Sequence, residues 1–245
     1  RIAQQIGLEP ESDTFNPVIV DFYRDVGYLP WAIDNYLTLL GWSLDDHTEF
    51  FTRSQLIENF SLERVNSSPA SFDPKKLWAV QDHYMQQLST AEKFELMAPF
   101  LTKAGLISEP ISNEMKDFVF QIIEASGDRL KVAGDILTYA TFFLVEKLTL
   151  DPAAVAKRLS KPGTAALLQQ FIEHVAVAEP FHAETLEPAL KSVVETANKK
   201  VGDLIHAVRV AVTGTTVGPG LYDCLVILGR EKSLERLRNA LELCG

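Results

Sequence analysis

The side chains best suited to chemistry are scattered along the chain rather than gathered in a reactive pattern. Asp45, Asp46 and Glu11 lie in loop-like sequence without a partner for acid–base work. No His-x-x-x-His spacing places two metal ligands on one helix face. The five histidines are His47, His83, His174, His182 and His206. The sequence therefore predicts no catalytic residue and no metal site.

Phosphate-binding and nucleophile motifs are also missing from the sequence. It contains no Gly-x-Ser-x-Gly elbow, no phosphate loop and no Rossmann fingerprint. The nearest glycine-rich stretch is Gly218-Pro219-Gly220, in which the proline removes one of the N–H groups that a phosphate cradle would use. A tight turn before the next helix is the simpler interpretation. The residues by themselves indicate a binding or scaffold module.

Composition narrows the class of protein. The chain has 245 residues, of which 47% are apolar, and no apolar run approaches the roughly 20 residues that span a bilayer. Cys224 and Cys244 form no Cys-x-x-Cys pair, which favours a reducing, cytoplasmic setting. The net charge of −10 argues against a protein that coats nucleic acid indiscriminately, although it allows local basic patches. Because the chain opens at Arg1 without a methionine, a fragment of a longer protein is expected.

Helical spacing dominates the apolar pattern, so the predicted fold is mainly α. One helix should begin at Pro30 and end at Gly41, and a second should begin at Pro74 with Asp73 as its N-cap. Asp151-Pro152 repeats the cap-then-proline signal and marks a candidate module boundary. Residues 17–20 are the best strand candidate, yet they also fit the first turn of a helix ending at Gly27.

Further apolar stripes predict the remaining helices. One contains Met115 to Ile123, and a nearly continuous apolar stretch surrounds Phe142. After residue 151, a stripe spans Leu167 to Val175 and a long one spans Leu186 to Ile205. Two leucine stripes complete the chain, formed by Leu221, Leu225 and Leu228 and then by Leu234, Leu237 and Leu241. These helices are expected to form a bundle.

Two blocks of sequence lie nearly the full chain apart. The first runs through Gly27-Tyr28-Leu29-Pro30, 35–43, 49–52, 56–57, 62–65 and 68–77, and the second through 208–214, 218–221 and 228–231. The first block resembles the region just after the catalytic lysine loop of bacterial-type glutamyl-tRNA synthetases, and the second resembles the C-terminal signature of the same family. The resemblance is strong before Leu88 and after Val201, and weak between them.

The resemblance implies three modules and one macromolecular partner. The modules are a stem-contact region over 1–89, a helical domain over 90–150 and a C-terminal helical anticodon-binding domain over 151–245. The implied partner is the glutamate tRNA, held by a monomeric, cytoplasmic protein without a membrane anchor. In the family, the Rossmann domain that binds ATP with Mg lies upstream of Arg1. This fragment is therefore expected to bind no cofactor and to activate no glutamate.

Particular residues acquire roles through the resemblance. Arg209 matches a family arginine that contacts anticodon bases, Leu221 matches a residue packing near them, and Gly218 belongs to a loop expected to approach the anticodon. Arg129 is assigned to the arginine that inspects the first anticodon base. Lys75 and Lys76, with Arg64 as a weaker candidate, are expected to meet the tRNA backbone. Without the resemblance, each of these cations has an ordinary alternative as a solvated or ion-paired surface residue.

The sequence also departs from the family pattern and leaves one alternative open. Trp31 replaces a usual glutamate, and Gln81-Asp82-His83 replaces a usual polar turn, which puts nearby tRNA contacts in question. The alternative is a catalytically inactive helical paralogue that serves as a protein-interaction module. Basic residues clustered together would favour RNA, and a contiguous apolar patch would favour protein. The candidates for such a cluster are Lys199, Lys200, Arg209 and Arg230.

Overall fold

The computed structural model describes residues 20–67 and 69–244, and this part of the chain contains twelve α-helices, three short 3₁₀ turns and no β-strand. The prediction of a mainly α fold is confirmed. The helices are α1 (Val20–Val26), α2 (Pro30–Gly41), α3 (Arg53–Asn59), α4 (Pro74–Gln87), α5 (Thr90–Lys103), α6 (Asn113–Ser126), α7 (Ile136–Leu144), α8 (Pro152–Arg158), α9 (Thr164–Val177), α10 (Ala183–Thr196), α11 (Val201–Thr213) and α12 (Leu221–Leu241). The 3₁₀ turns are Leu62–Arg64, Gly127–Arg129 and Ala133–Asp135.

The helices form two compact units, and the chain passes between them more than once. The N-terminal unit contains residues up to 104 together with 128–137. The C-terminal unit contains residues 105–127 and the chain from 138 onward. The predicted boundaries near residues 89 and 150 describe sequence modules rather than these contact units, and the three-module division stays a prediction.

The N-terminal unit packs α2 against α4 around a small core. Its fully buried members are Ala32, Tyr36, Leu77 and Val80. Buried polar side chains tie the loops to this core. Asn35 accepts a hydrogen bond from Phe51 N at 3.0 Å and donates to Glu49 O at 2.8 Å. Because Asn35 is fully buried, these bonds fix the path of the segment around residue 50.

The C-terminal unit has a larger apolar core, formed chiefly where α9, α11 and α12 pack together, with α10 against them. Its most buried side chains come from every one of these helices and include Leu168, Phe171, Leu190, Leu204, Val208, Leu225 and Leu237. A buried arginine, Arg236, donates to Val212 O and Phe142 O, both at 2.6 Å. These bonds give the carbonyl groups near the ends of α7 and α11 a partner inside the core.

The start signals read from the sequence mark real helix starts. The α2 helix spans Pro30 to Gly41, as predicted. Asp73 caps α4 by accepting from Lys75 N at 2.8 Å, and Asp151 caps α8 by accepting from Ala153 N at 2.9 Å. A short carboxylate side chain at the N-cap satisfies a backbone N–H that has no partner within the helix.

One feature of the apolar pattern was interpreted too simply. The long stripe from Leu186 to Ile205 belongs to two helices, because the chain leaves α10 at Ala197 and Asn198 adopts a positive φ of 52°. The two leucine stripes predicted at the C-terminal end both lie on α12, which is kinked between them at Gly229, whose φ of 78° and ψ of 163° are not helical. The strand candidate at 17–20 is helical at Val20, and its first three residues lie outside the described part.

Candidate nucleic-acid interface

The turn between α11 and α12 is built around Arg209. This residue lies on α11, one helical turn before the helix ends at Thr213. Its Nη1 atom donates a hydrogen bond to Pro219 O at 2.7 Å. The bond links the helix to the turn ten residues later and restrains the plane of the guanidinium group. Arg209 therefore takes part in the local structure of the turn.

Threonine side chains and glycines give this turn a definite shape. Thr213 Oγ1 donates to Arg209 O at 2.8 Å, and Thr215 Oγ1 donates to Val217 O at 2.7 Å. Gly214 ends α11 with a left-handed φ of 78°, and a Cβ atom there would lie 2.4 Å from Thr149 O. Any side chain at position 214 would force the backbone at Thr149 to shift, so this position strongly favours glycine.

Gly218 and Leu221, which are also predicted for this surface, differ in how they are placed relative to it. A Cβ atom on Gly218 would lie 3.4 Å from Arg209 Nη1, so Gly218 stands directly beside the guanidinium. Leu221 is only 3% exposed, at the first position of α12. In this conformation its side chain supports the turn by packing and presents almost no surface to a ligand. The structure thus brings Arg209 and Gly218 together, with Leu221 beneath the turn.

The charges of three cations act on His206, which lies on the same helix as Arg209. His206 and Arg209 are three residues apart on α11 and so share a face. The α8 helix packs against α11. Burial lowers the pKa of the His206 imidazole, and the positive charges of Arg158, Arg209 and Lys161 lower it further. This part of the surface is therefore electropositive in a chain whose net charge is −10.

The basic residues near Arg209 are not all the ones that the sequence suggested. Arg230 donates to Ala178 O and Glu179 Oε2 and lies over the Phe181 ring, 5.4 Å from its centroid. These contacts use Arg230 to hold the loop between α9 and α10. Arg158, Lys161 and His206 were missed by the sequence reasoning. They are separated from Arg209 by up to 51 positions, and only the packing of α8 on α11 reveals that they share its surroundings.

Arg129 belongs to the N-terminal unit by its contacts, whereas Arg209, Gly218 and Leu221 belong to the C-terminal unit. It ends the 3₁₀ turn Gly127–Arg129 that follows α6. Its side chain is 45% exposed, and Nη1 lies 4.0 Å from Asp128 Oδ1. Its assignment to the first anticodon base stays a prediction.

The residues of the N-terminal unit that are predicted to contact the tRNA backbone are exposed, and two of them already have partners within the protein. Lys76 Nζ lies 2.8 Å from Glu49 Oε1 in a solvent-exposed ion pair. Arg64 Nη1 donates to Leu44 O at 2.5 Å, and Lys75 is exposed in the first turn of α4. Because an exposed ion pair is worth less than about 1 kcal/mol, Lys76 can exchange Glu49 for a phosphate at small cost. The phosphate roles of these three residues stay predictions.

The departures from the family pattern are internal contacts. Trp31 Nε1 donates to Phe51 O at 2.8 Å. Gln81 is fully buried, accepts from Leu29 N at 2.8 Å and donates to Lys131 O at 2.7 Å. Asp82 pairs with Lys131 at 2.7 Å. These positions hold the N-terminal unit together.

Comparison with known protein families identifies the class of protein to which this chain belongs. The anticodon binding domain family matches residues 92–241. This range contains α6 to α12 and the turn that holds Arg209. The chain therefore belongs to the anticodon binding domain family. Residues 14–79 match a second family, the catalytic domain of class I tRNA synthetases for E and Q.

The individual relatives give a more specific description than the family match. A glutamate-tRNA ligase of Moorella thermoacetica is 38% identical over 90% of this chain, and one of Roseiflexus castenholzii is 37% identical over 99%. The chain spans 45% and 48% of their lengths. A crystal structure of a glutamate tRNA ligase from Elizabethkingia meningosepticum superposes with a TM-score of 0.78 at 26% identity, covering 90% of this chain and 42% of that one. The resemblance found in the sequence is confirmed.

Proposed function

We propose that this chain is the tRNA-recognising part of a glutamate-tRNA ligase and that its C-terminal unit binds the anticodon loop of the glutamate tRNA. The observation that carries the proposal is the position of Arg209. This arginine is held at a glycine-containing turn inside the segment that matches the anticodon binding domain family. An arginine held in one orientation presents a planar set of donors suited to a base edge or to stacking on an unpaired base.

The surroundings of Arg209 support a ligand that is both anionic and aromatic. The Pro219 hydrogen bond reduces the rotational freedom that Arg209 would lose on binding. Gly218 carries no side chain to cover the guanidinium, and Val217 in the same turn is 48% exposed and can contact a base face. The additional positive charge around His206 favours the phosphates of the same loop.

The alternative of a protein-interaction module is less well supported. The relatives matched over 90% or more of the chain are glutamate-tRNA ligases. The residues of the electropositive surface lie within the segment that matches the anticodon binding domain family. Most of the exposed large apolar side chains lie instead in the N-terminal unit.

The decisive experiment replaces Arg209 with alanine and measures binding to two RNA hairpins. One hairpin has the anticodon stem-loop of the glutamate tRNA, and the other has the same stem with a changed anticodon. If Arg209 reads a base, Arg209→Ala should weaken binding to the first hairpin by about 1–3 kcal/mol and reduce discrimination between the two. Equal losses on both hairpins would indicate a backbone contact only.

The matched control is Arg238→Ala. Arg238 is an exposed arginine on α12, so its removal changes the net charge of the same unit by the same amount. It should leave the discrimination between the hairpins unchanged. If the unaltered protein bound neither hairpin at low salt, the proposed function would be wrong.

A further inference from the structure

The cations around His206 have no assigned role in the base contact of Arg209. Arg158 lies in the last turn of α8, and Lys161 lies in the loop that leads from α8 to α9. Both positive charges act on the His206 imidazole, as does that of Arg209. Cations repel one another, so gathering three of them around a fourth ionisable group opposes folding unless an anion compensates.

The protein supplies little compensation to Arg158 and Lys161. Within the described part of the chain, neither residue takes part in a carboxylate ion pair. The Nε atom of Arg158 is buried and has no hydrogen-bond partner there. A buried guanidinium N–H without an acceptor is costly, and such groups in native proteins call for an explanation.

The neighbouring backbone suits an anion as well. The loop containing Lys161 leads into α9, whose N-cap is Gly163 and offers no side-chain acceptor to the first N–H groups. Gly163 has open space where a side chain would project. The positive end of the α9 dipole therefore adds to the charge of Lys161.

We propose that Arg158, Lys161 and His206 form a binding site for an RNA phosphodiester next to the base contacted by Arg209. This inference rests on the proposed function, because a nucleotide whose base meets Arg209 carries phosphodiesters on either side of it. Arg158 provides a guanidinium fork, Lys161 a mobile point charge, and His206 a further donor. The site gives affinity and register without reading sequence.

The test measures how binding of the anticodon hairpin depends on salt concentration. Lys161→Gln removes an exposed charge that no described ion pair uses, so the fold should be preserved. Each lost phosphate contact in a single-stranded loop should make the plot of log affinity against log salt shallower by about 0.7. Arg158→Gln should have a similar effect, and its thermal unfolding will show whether the half-buried side chain also matters for stability. Both variants should weaken the cognate and the anticodon-changed hairpins by the same factor.

The matched control is Lys191→Gln, which removes the same charge from the same unit. Lys191 is already paired with Glu187 at 2.7 Å, so the salt dependence should stay that of the unaltered protein. A second measurement follows the His206 imidazole by NMR. Arg158, Lys161 and Arg209 are the charges that act on it. A bound phosphodiester favours the protonated ring, so the imidazole pKa should rise when the hairpin is added.

The outcomes separate this site from the proposed function. If the unaltered protein binds the hairpin with anticodon discrimination, but Lys161→Gln and Arg158→Gln leave affinity and salt dependence unchanged, the phosphate site is rejected and the function stands. If the two variants lose affinity for the cognate hairpin only, they affect base recognition and the phosphate assignment is wrong. If the unaltered protein binds no hairpin, both proposals fail together.

Discussion

The N-terminal and C-terminal units are both helical, yet they use polar and apolar side chains in different ways. In the N-terminal unit a small core is secured by buried side chains that bond to loop backbone, such as Asn35 and Gln81. In the C-terminal unit a continuous apolar core carries the fold, and one buried arginine, Arg236, joins its helix ends.

Their surfaces differ as well. Large exposed apolar side chains are concentrated in the first unit, from Val20, Leu37, Phe50, Ile57, Phe60 and Leu62 to Val65, Phe72 and Trp78. In the second unit they are Val177, Val201, Val217 and Leu243. The comparison teaches that two units with similar helical patterns can differ in how many large apolar side chains they leave exposed.

The largest effects on the free energy of unfolding should come from replacing a tightly packed glycine in each unit. Gly27 has a φ of 95°, and a Cβ atom there would lie 2.7 Å from Ala133 Cβ. Gly214 has a φ of 78° and meets Thr149 O in the same way. Gly27→Ala and Gly214→Ala should each lower the free energy of unfolding of their own unit by about 3 kcal/mol, through backbone strain and steric overlap.

The two units can be followed separately, because Trp31, Trp42 and Trp78, the only tryptophans of the chain, all lie in the N-terminal unit. Denaturant unfolding monitored by tryptophan fluorescence should respond to Gly27→Ala, whereas circular dichroism should respond to both variants. Gly105→Ala is the control, since Gly105 has a φ of 69° but open space around it. It should cost only about 1 kcal/mol. A similar loss at all three positions would mean that steric contact is unimportant.

Intermediate effects on stability should come from replacing Arg236 and Gln81, the buried polar side chains that act as clamps by bonding to backbone groups of distant segments. Arg236→Met leaves Val212 O and Phe142 O without a donor and should destabilise the C-terminal unit by about 3 kcal/mol. Gln81→Leu leaves Leu29 N and Lys131 O unpaired and should destabilise the N-terminal unit by about 2 kcal/mol.

Exposed residues of the same type serve as controls for these two variants. Arg238→Met and Gln170→Leu alter exposed side chains on α12 and α9 and should change the free energy of unfolding by less than about 0.5 kcal/mol. The interpretation of Arg236 and Gln81 as clamps would be contradicted if their replacements were as mild as these surface changes.

The smallest effects concern the predicted RNA contacts of the N-terminal unit. Replacing Lys75 and Lys76 together with glutamine should leave stability nearly unchanged, because Lys75 is exposed and the Lys76–Glu49 pair lies in solvent. If both lysines meet the stem backbone, the slope of log affinity against log salt for the whole glutamate tRNA should fall by up to about 0.9 for each lysine. The anticodon hairpin should be unaffected. A loss of affinity for both RNAs would show that the two units do not divide the tRNA as proposed.

Local signals in the sequence were sufficient for much of the fold. The caps at Asp73 and Asp151 and the helix between Pro30 and Gly41 were predicted correctly, since N-capping and proline geometry depend on a few neighbouring residues. The break after α10 was missed because apolar spacing continues across it. A stripe of apolar residues records burial and does not show where the backbone turns.

For the candidate site as well, some features were predicted from the sequence and others were found only in the structure. The sequence by itself determined the family resemblance and the choice of Arg209 and Gly218, since these residues lie in one short, specific block. Only the tertiary structure decided that Pro219 holds Arg209, that Leu221 is buried, and that Arg230 serves a loop elsewhere. It also brought Arg158 and Lys161 from α8 and the following loop toward His206 on α11. Helix periodicity assigns a residue to a face of its own helix, but the charges that meet across a helix pair depend on packing between segments far apart in sequence.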